Sequence, residues 1–237
     1  MCSASAIAGK WILDAGIFTT GAVYRWFRDN LARFEKRAEA QSDIDAYDVL
    51  NTEAKNSDIG AEGLLFVLHF AGSAAPYWNP HAKGVLFGLS LSHKRSSIIR
   101  ALLEGIVFEI EKNIRIIEAL IGSIHEIRVS GGATKSAFFN QIQADVYGKP
   151  VIREMSGQSS SLGAAIIAAA SLEFYPSVES ATRQLVQLEH HNTWFPAERA
   201  HQMYQRISVL HDALYQALNA YDIYTRADEI LELMKNS

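Results

Sequence analysis

The densest chemical signal in the sequence is the run HEIRVSGGATKSAFFNQ, residues 125–141. Ile127 and Val129 alternate with polar neighbours, as in a strand. Gly131 and Gly132 then turn the chain, and Ser136 stands where a helix would begin. A strand, a paired-glycine turn and a helix N-terminus together are a physical recipe for holding a nucleotide. Glycines admit a ligand close to the backbone, and unpaired N–H groups at a helix start attract anionic or acceptor atoms. The spacing GG-x-x-K-S is neither a P-loop nor G-x-G-x-x-G. The same residues also read as a plain βα turn in which Ser136 is only an N-cap. Spacing leaves both readings open.

Other reactive residues point nowhere in particular. His190 and His191 lack an i,i+4 partner or an H-E-x-x-H pattern, so a solvated loop is expected there. There is no G-x-S-x-G elbow, and the single cysteine, Cys2, lies near the N-terminus. One cysteine makes neither an intrachain disulfide nor a cysteine metal cage. Glu104 lies among apolar neighbours, and a structural hydrogen bond is the simpler expectation for it than a functional role. Trp26, Phe27, Tyr77 and Trp78 are expected as core or loop anchors rather than a ligand box.

The elements that must position these residues alternate between strand and helix. Trp11–Phe18 is expected as a strand. Thr20 is expected as the N-cap of a helix carrying Val23, Trp26, Phe27, Leu31 and Phe34 on its apolar side. A polar stretch, EKRAEAQSD, follows, and Ser42 resembles the start of a capping box for a second short helix. Leu64–Leu68 suits a buried strand. Pro76 and Pro80 predict an irregular loop through AGSAAPYWNPHAKG, and Val85–Leu89 a returning strand. Ser96 or Ser97 is expected to cap a long, deeply packed helix whose apolar stripe runs from Ile98 to Ile121. Pro150–Arg153 is expected as a strand. Ser161 is expected to open a helix rich in alanine, lying close to a sheet and closed by Pro176. Long helices are expected from about Ala197 onward. This order gives an α/β class with a helical C-terminal layer.

Bulk properties agree with a cytoplasmic globular protein. The 237 residues are 49% hydrophobic and 20% charged, with a formal net charge of −4. That balance excludes a disordered tail or a collagen-like fibre and argues against nucleic-acid binding driven by phosphate neutralisation. No apolar run reaches the roughly 18–20 residues of a membrane span. The start, MCSASAIAGKW, lacks the pattern of a signal peptide.

Four stretches, in order, resemble the C-terminal half of the FGGY carbohydrate kinases. They are TTGAVYRWFRDNL, GLLFVLHFAGSAAPYWNPHAKG, GVLFGLSLSHKRSSIIRALLEGIVF and IRVSGGATKSAFFNQIQADVYGKPV. The resemblance covers roughly residues 10–185, leaving 190–237 as a helical extension, and its nearest members are xylulokinase- and gluconokinase-like. It departs from the family at Gly72–Pro76, where a charged pair usually precedes the proline.

The resemblance implies a ribonuclease H-like, actin-like ATPase fold, with a mixed sheet flanked by helices. It implies one ATP-binding domain over 1–237, using ATP and Mg²⁺ to phosphorylate a hydroxyl of a sugar, sugar acid or polyol. Gly132 and Ser136, with the adjoining Gly131, match positions around the adenine. Gly21 and Arg25 match positions near the ribose and phosphates. The sugar pocket and the catalytic base are expected in an N-terminal domain, and the sequence holds no D-x-G-T-like phosphate loop. It is therefore expected to be an excised or truncated domain without turnover of its own. A cleft face without its opposing domain is expected to favour homo-oligomers. A non-catalytic nucleotide-binding or interaction module of the same superfamily stays open as the alternative.

Overall fold

The computed structural model describes residues 1–235. The chain opens with an exposed hairpin, β1 (Cys2–Ala4) and β2 (Trp11–Leu13). Helices α1 (Gly21–Leu31), α2 (Arg33–Glu39) and α3 (Ala46–Ala54) follow. Strands β3 (Leu65–Leu68) and β4 (Gly84–Phe87) then lead to the longest helix, α4 (Arg95–Ile121). Next come β5 (Ile127–Val129), α5 (Ala137–Tyr147) and β6 (Val151–Arg153). Among the described residues the α-helices α6 (Ser159–Ser171), α7 (Val178–Leu185), α8 (Glu198–Ala220) and α9 (Ile223–Lys235) follow.

The core forms around α4 and β3. Every residue of β3 is buried, and α4 turns Ile99, Leu102, Leu103, Ile106 and Val107 towards it. Each such side chain contributes about 1.5–3 kcal/mol by leaving water. Gly105 sets how closely the helix approaches, because a Cβ there would run into the Phe66 carbonyl oxygen. The N-cap is Lys94 rather than Ser96 or Ser97; Ser97 lies inside the first turn, its Oγ accepting from the Lys94 N–H at 3.3 Å. The buried stripe ends near Asn113, however, and Leu120 and Ile121 are exposed.

Strands pair in three two-stranded sheets among the described residues. β3 and β4 are antiparallel with Leu65 opposite Phe87, and β5 and β6 are parallel with Ile127 opposite Val151. Both strand senses of the expected mixed sheet are therefore present, in short pieces set among helices.

Several expectations change in detail. The strand expected over Trp11–Phe18 covers only Trp11–Leu13, as β2, and pairs with a strand not expected, β1. Helix α1 buries Val23, Tyr24 and Phe27, whereas Trp26, Leu31 and Phe34 are exposed. The Tyr24 hydroxyl, donating to Asn51 Oδ1 at 3.0 Å and packing on Tyr47, draws that face inward. Thr20 occupies the N-cap position of α1 without a side-chain cap. The polar stretch expected after this helix is largely helical, as α2. Asp45, not Ser42, caps the next helix, accepting from the Tyr47 N–H at 2.7 Å. Helix α6 begins at Ser159, packs chiefly on α7 and buries only Ile166. Its main packing partner is thus a helix rather than the expected sheet.

Candidate functional site

Strands β5 and β6 run parallel, so both carboxyl ends point the same way, each followed by a loop and a helix. In open α/β sheets that edge is where ligands bind. After β5, Gly131 adopts φ +103°, a left-handed conformation that favours glycine. Gly132 opens a 3-10 turn over Gly132–Lys135, and Ser136 then caps α5, its Oγ accepting from the Phe139 N–H at 3.2 Å. A Cβ at either Gly131 or Gly132 would meet nothing within 4 Å, so the turn presents bare backbone to open space.

The turn is pinned from behind. Thr134 Oγ1 donates to the Gly131 carbonyl at 2.7 Å. The fully buried Asn140 donates from Nδ2 to the Thr134 carbonyl at 2.8 Å, and Gln143 donates to Asn140 Oδ1 at 3.2 Å. A rigid backing with an exposed backbone front suits a site that presents its amides to a ligand.

The neighbouring β6 end carries a carboxylate. Glu154 Oε1 accepts from the Ser156 N–H at 2.7 Å, and Oε2 accepts from the Ser156 hydroxyl at 2.8 Å and the Ser159 hydroxyl at 3.2 Å. Burial works against ionisation of Glu154, but these hydrogen bonds prevail and hold its carboxyl below the usual range. The Ser159 hydroxyl also meets the Ser130 hydroxyl, joining the start of α6 to the residue before the glycine turn. Asn140, Glu154 and Ser159 were not among the expected site residues. For Asn140 the available signal was a polar side chain one helical turn after Ser136, on the buried side of α5.

Gly21 and Arg25 lie on the exposed first turns of α1. A Cβ at Gly21 would meet nothing within 4 Å, and among the described residues Arg25 has no ion-pair partner. The segment leading into them is tied to the loop after β3. Thr19 Oγ1 donates to the Leu68 carbonyl at 2.6 Å, and the Ala75 N–H donates to the Gly16 carbonyl at 3.2 Å. No hydrogen bond, ion pair or ring contact joins Gly21 or Arg25 to the glycine turn among the described residues. The expected site thus consists of two separately anchored groups.

A nucleotide fits what these residues offer: open backbone at paired glycines, a helix start and an exposed guanidinium. Among the described residues no group of three or more His, Cys, Asp or Glu side chains is placed to hold a metal ion. Elsewhere, Glu104 proves structural. Its Oε1 accepts from Arg100 Nε at 2.7 Å, from the Tyr204 hydroxyl at 2.7 Å and from the Gly60 N–H at 3.1 Å. His190 and His191 begin a short 3-10 turn. Tyr77 anchors its loop by stacking on Tyr215, while Trp78 and Trp26 are exposed.

Known proteins with similar sequences and structures agree on one family. The model of the FGGY family of carbohydrate kinases, C-terminal domain, matches residues 3–172. A gluconokinase of Bacillus subtilis (strain 168) is 36% identical over 158 residues, 66% of this chain and 31% of its own. A glycerol kinase of Janthinobacterium sp. (strain Marseille) is 30% identical over 212 residues, 88% of this chain and 39% of its own. Among solved structures, xylulose kinase from Rhodospirillum rubrum superposes with a TM-score of 0.73 at 27% identity, covering 86% of this chain and 39% of that one. Gluconate kinase from Lactobacillus acidophilus gives 0.70 at 25% identity, covering 84% and 38%. The chain spans 31% to 39% of the length of these two curated relatives. No helix among the described residues is long and apolar enough to cross a membrane. The fold is the actin-like ATPase fold of these kinases, and the chain belongs to the FGGY family of carbohydrate kinases, matching its C-terminal domain.

Proposed function

We propose that this chain is the ATP-binding domain of a cytoplasmic kinase that phosphorylates a hydroxyl of a sugar, sugar acid or polyol. The observation that carries the reading is the glycine turn at the carboxyl end of β5, open in front and pinned behind by Thr134 and Asn140. Gluconokinases, glycerol kinases and xylulose kinases among the similar proteins support the reaction class.

In this reading the backbone at Gly131 and Gly132 admits the flat adenine, and the Ser136 hydroxyl hydrogen-bonds its edge while still capping α5. Gly21 allows close approach at the start of α1. Arg25, exposed on α1 and without an ion-pair partner among the described residues, offers its guanidinium to the ribose and phosphate side. A bound nucleotide carries the transferable phosphoryl group, and Mg²⁺ arrives with the phosphates rather than on a protein cluster. The sugar pocket and the base that accepts the hydroxyl proton belong, in this reading, to the part of the relatives that this chain does not span.

The 237-residue chain therefore binds nucleotide without turnover. Calorimetric titration with ADP, alongside a coupled kinase assay with gluconate, xylulose and glycerol, tests both halves. Saturable ADP binding with no turnover is expected. Silence with ADP, or phosphorylation of any of the three by the purified chain, overturns the corresponding half.

A further inference from the structure

The helices α8 and α9 lie beyond residue 172, where the family match ends. They nevertheless meet the loop between β3 and β4 along its length. The Tyr77 ring stacks on the buried Tyr215 ring of α8 at 4.0 Å between centroids. Asn79 Nδ2 donates to Asn219 Oδ1 at 2.9 Å. Asp228 of α9 takes His81 Nδ1 at 2.8 Å on one oxygen and Lys83 Nζ at 2.9 Å on the other. Ala82, Tyr215 and Tyr224 form a second small core beneath these contacts. One loop is thus fastened to both C-terminal helices by stacking, hydrogen bonding, charge and burial.

The far side of that loop holds the approach to Gly21 and Arg25. Among the described residues, two hydrogen bonds tie residues 15–20 to the loop and the strand before it: Thr19 Oγ1 to the Leu68 carbonyl and the Ala75 N–H to the Gly16 carbonyl. Rings reinforce them. Phe18 meets Trp78 edge-on at 6.2 Å, and Trp26 meets Phe70 edge-on at 4.9 Å. Both strands of the hairpin β1–β2 are exposed and give this segment little backing.

We infer that α8 and α9 are a brace which, through the β3–β4 loop, positions the α1 edge of the nucleotide site, with Asp228 and Tyr215 as positioning residues. The inference rests on the nucleotide reading above only for what the braced edge binds. Mechanically, loosening the loop on its α9 side frees Ala75, Phe70 and Trp78, and these in turn free Gly16, Phe18 and Trp26. A loop with fewer fixed contacts costs more ordering entropy when a ligand must be gripped. Asn113, donating to the Ala75 carbonyl at 3.3 Å, and Lys112, over the Tyr77 ring at 4.9 Å, also hold the loop, so the effect is graded rather than total.

The test compares wild type, Asp228→Ala, the conservative Asp228→Glu, and His81→Ala as a second variant at an exposed position. Hydrogen exchange of residues 16–26 and calorimetric ADP affinity are read on the full chain. His81→Ala should speed exchange in 16–26 and weaken ADP binding by about threefold, the scale of losing one partly exposed ion pair, and Asp228→Ala, which also loses the Lys83 pair, by at least as much. Asp228→Glu should restore both. Faster exchange confined to 79–84 and 223–230, with 16–26 and ADP affinity unchanged, overturns the brace. Should wild type ignore ADP, the nucleotide reading fails alone, and exchange in 16–26 still decides the brace.

Discussion

The side-chain amide of Asn140 donates to the Thr134 carbonyl oxygen at 2.8 Å, and no part of Asn140 is exposed to solvent. This bond links the first turn of α5 to the 3-10 turn that carries Gly132, so the candidate site's backbone is fixed from inside the core.

Replacing Asn140 by Ala leaves the Thr134 carbonyl without its donor and Gln143 without its acceptor. The loss should be about 1–3 kcal/mol of folding stability, the scale of an unsatisfied buried polar group. ADP affinity should fall as well, because the turn is no longer held. A urea unfolding curve and an ADP titration check both, and unchanged values in the two would remove Asn140 from the account.

The Arg100–Glu104–Tyr204 cluster makes a separate prediction about stability. Glu104→Gln leaves the Arg100 guanidinium buried without its counter-charge, although Arg100 still donates to the Ser57 carbonyl at 2.7 Å. Breaking one side of such a pair costs about 3–5 kcal/mol, whereas replacing both partners with apolar side chains of similar volume is nearly neutral. Here the double variant Arg100→Met/Glu104→Leu also orphans the Tyr204 hydroxyl and the Gly60 N–H, so denaturant midpoints should place both it and Glu104→Gln below wild type. ADP affinity of the folded fraction should hold steady throughout, since Glu104 serves the fold.

Acid sensitivity should centre on His69. It is buried beside Glu109 at 3.7 Å, with Lys112 on the same carboxylate at 3.1 Å. Burial first, and Lys112 second, lower its pKa from 6.5 to about 4. The unfolded chain then binds a proton at a pH where the folded one does not, so stability falls as pH drops from about 6.5 towards 4. His211, also buried beside Glu109 at 3.9 Å, is shifted the same way by its own burial and adds to the loss. Replacing His69 by Phe should flatten the slope between pH 6 and 5 by up to about 1.4 kcal/mol per unit, one proton's worth. Identical slopes for wild type and variant would show that His69 does not titrate in this window.

The sequence made the α4–β3 core and the β5–α5 turn legible because both write themselves in local patterns. Apolar residues at helical spacing marked α4, and Gly131–Gly132 followed by Ser136 marked the turn and its cap. Three features were hidden for physical reasons. Helix α2 has no apolar face to announce it, being built largely of charged residues. Glu109 and Lys112 look like surface residues until their mutual pairing makes burial affordable. The stripe from Ile117 to Ile121 looks like core although Leu120 and Ile121 are exposed, because periodicity records an apolar face and not what covers it. The candidate site was legible as separate groups, whereas its backing by Thr134 and Asn140 depends on contacts that spacing does not encode.

The most direct measurement is ADP titration of wild type against Gly132→Trp. Gly132 has an ordinary backbone conformation and open space beyond its Cα, so the variant should fold with an unchanged unfolding midpoint. Its indole would fill the space in front of the turn. The account predicts saturable binding to wild type and at least a tenfold loss in Gly132→Trp, about 1.4 kcal/mol or more. Equal ADP affinity in the two folded proteins would contradict it.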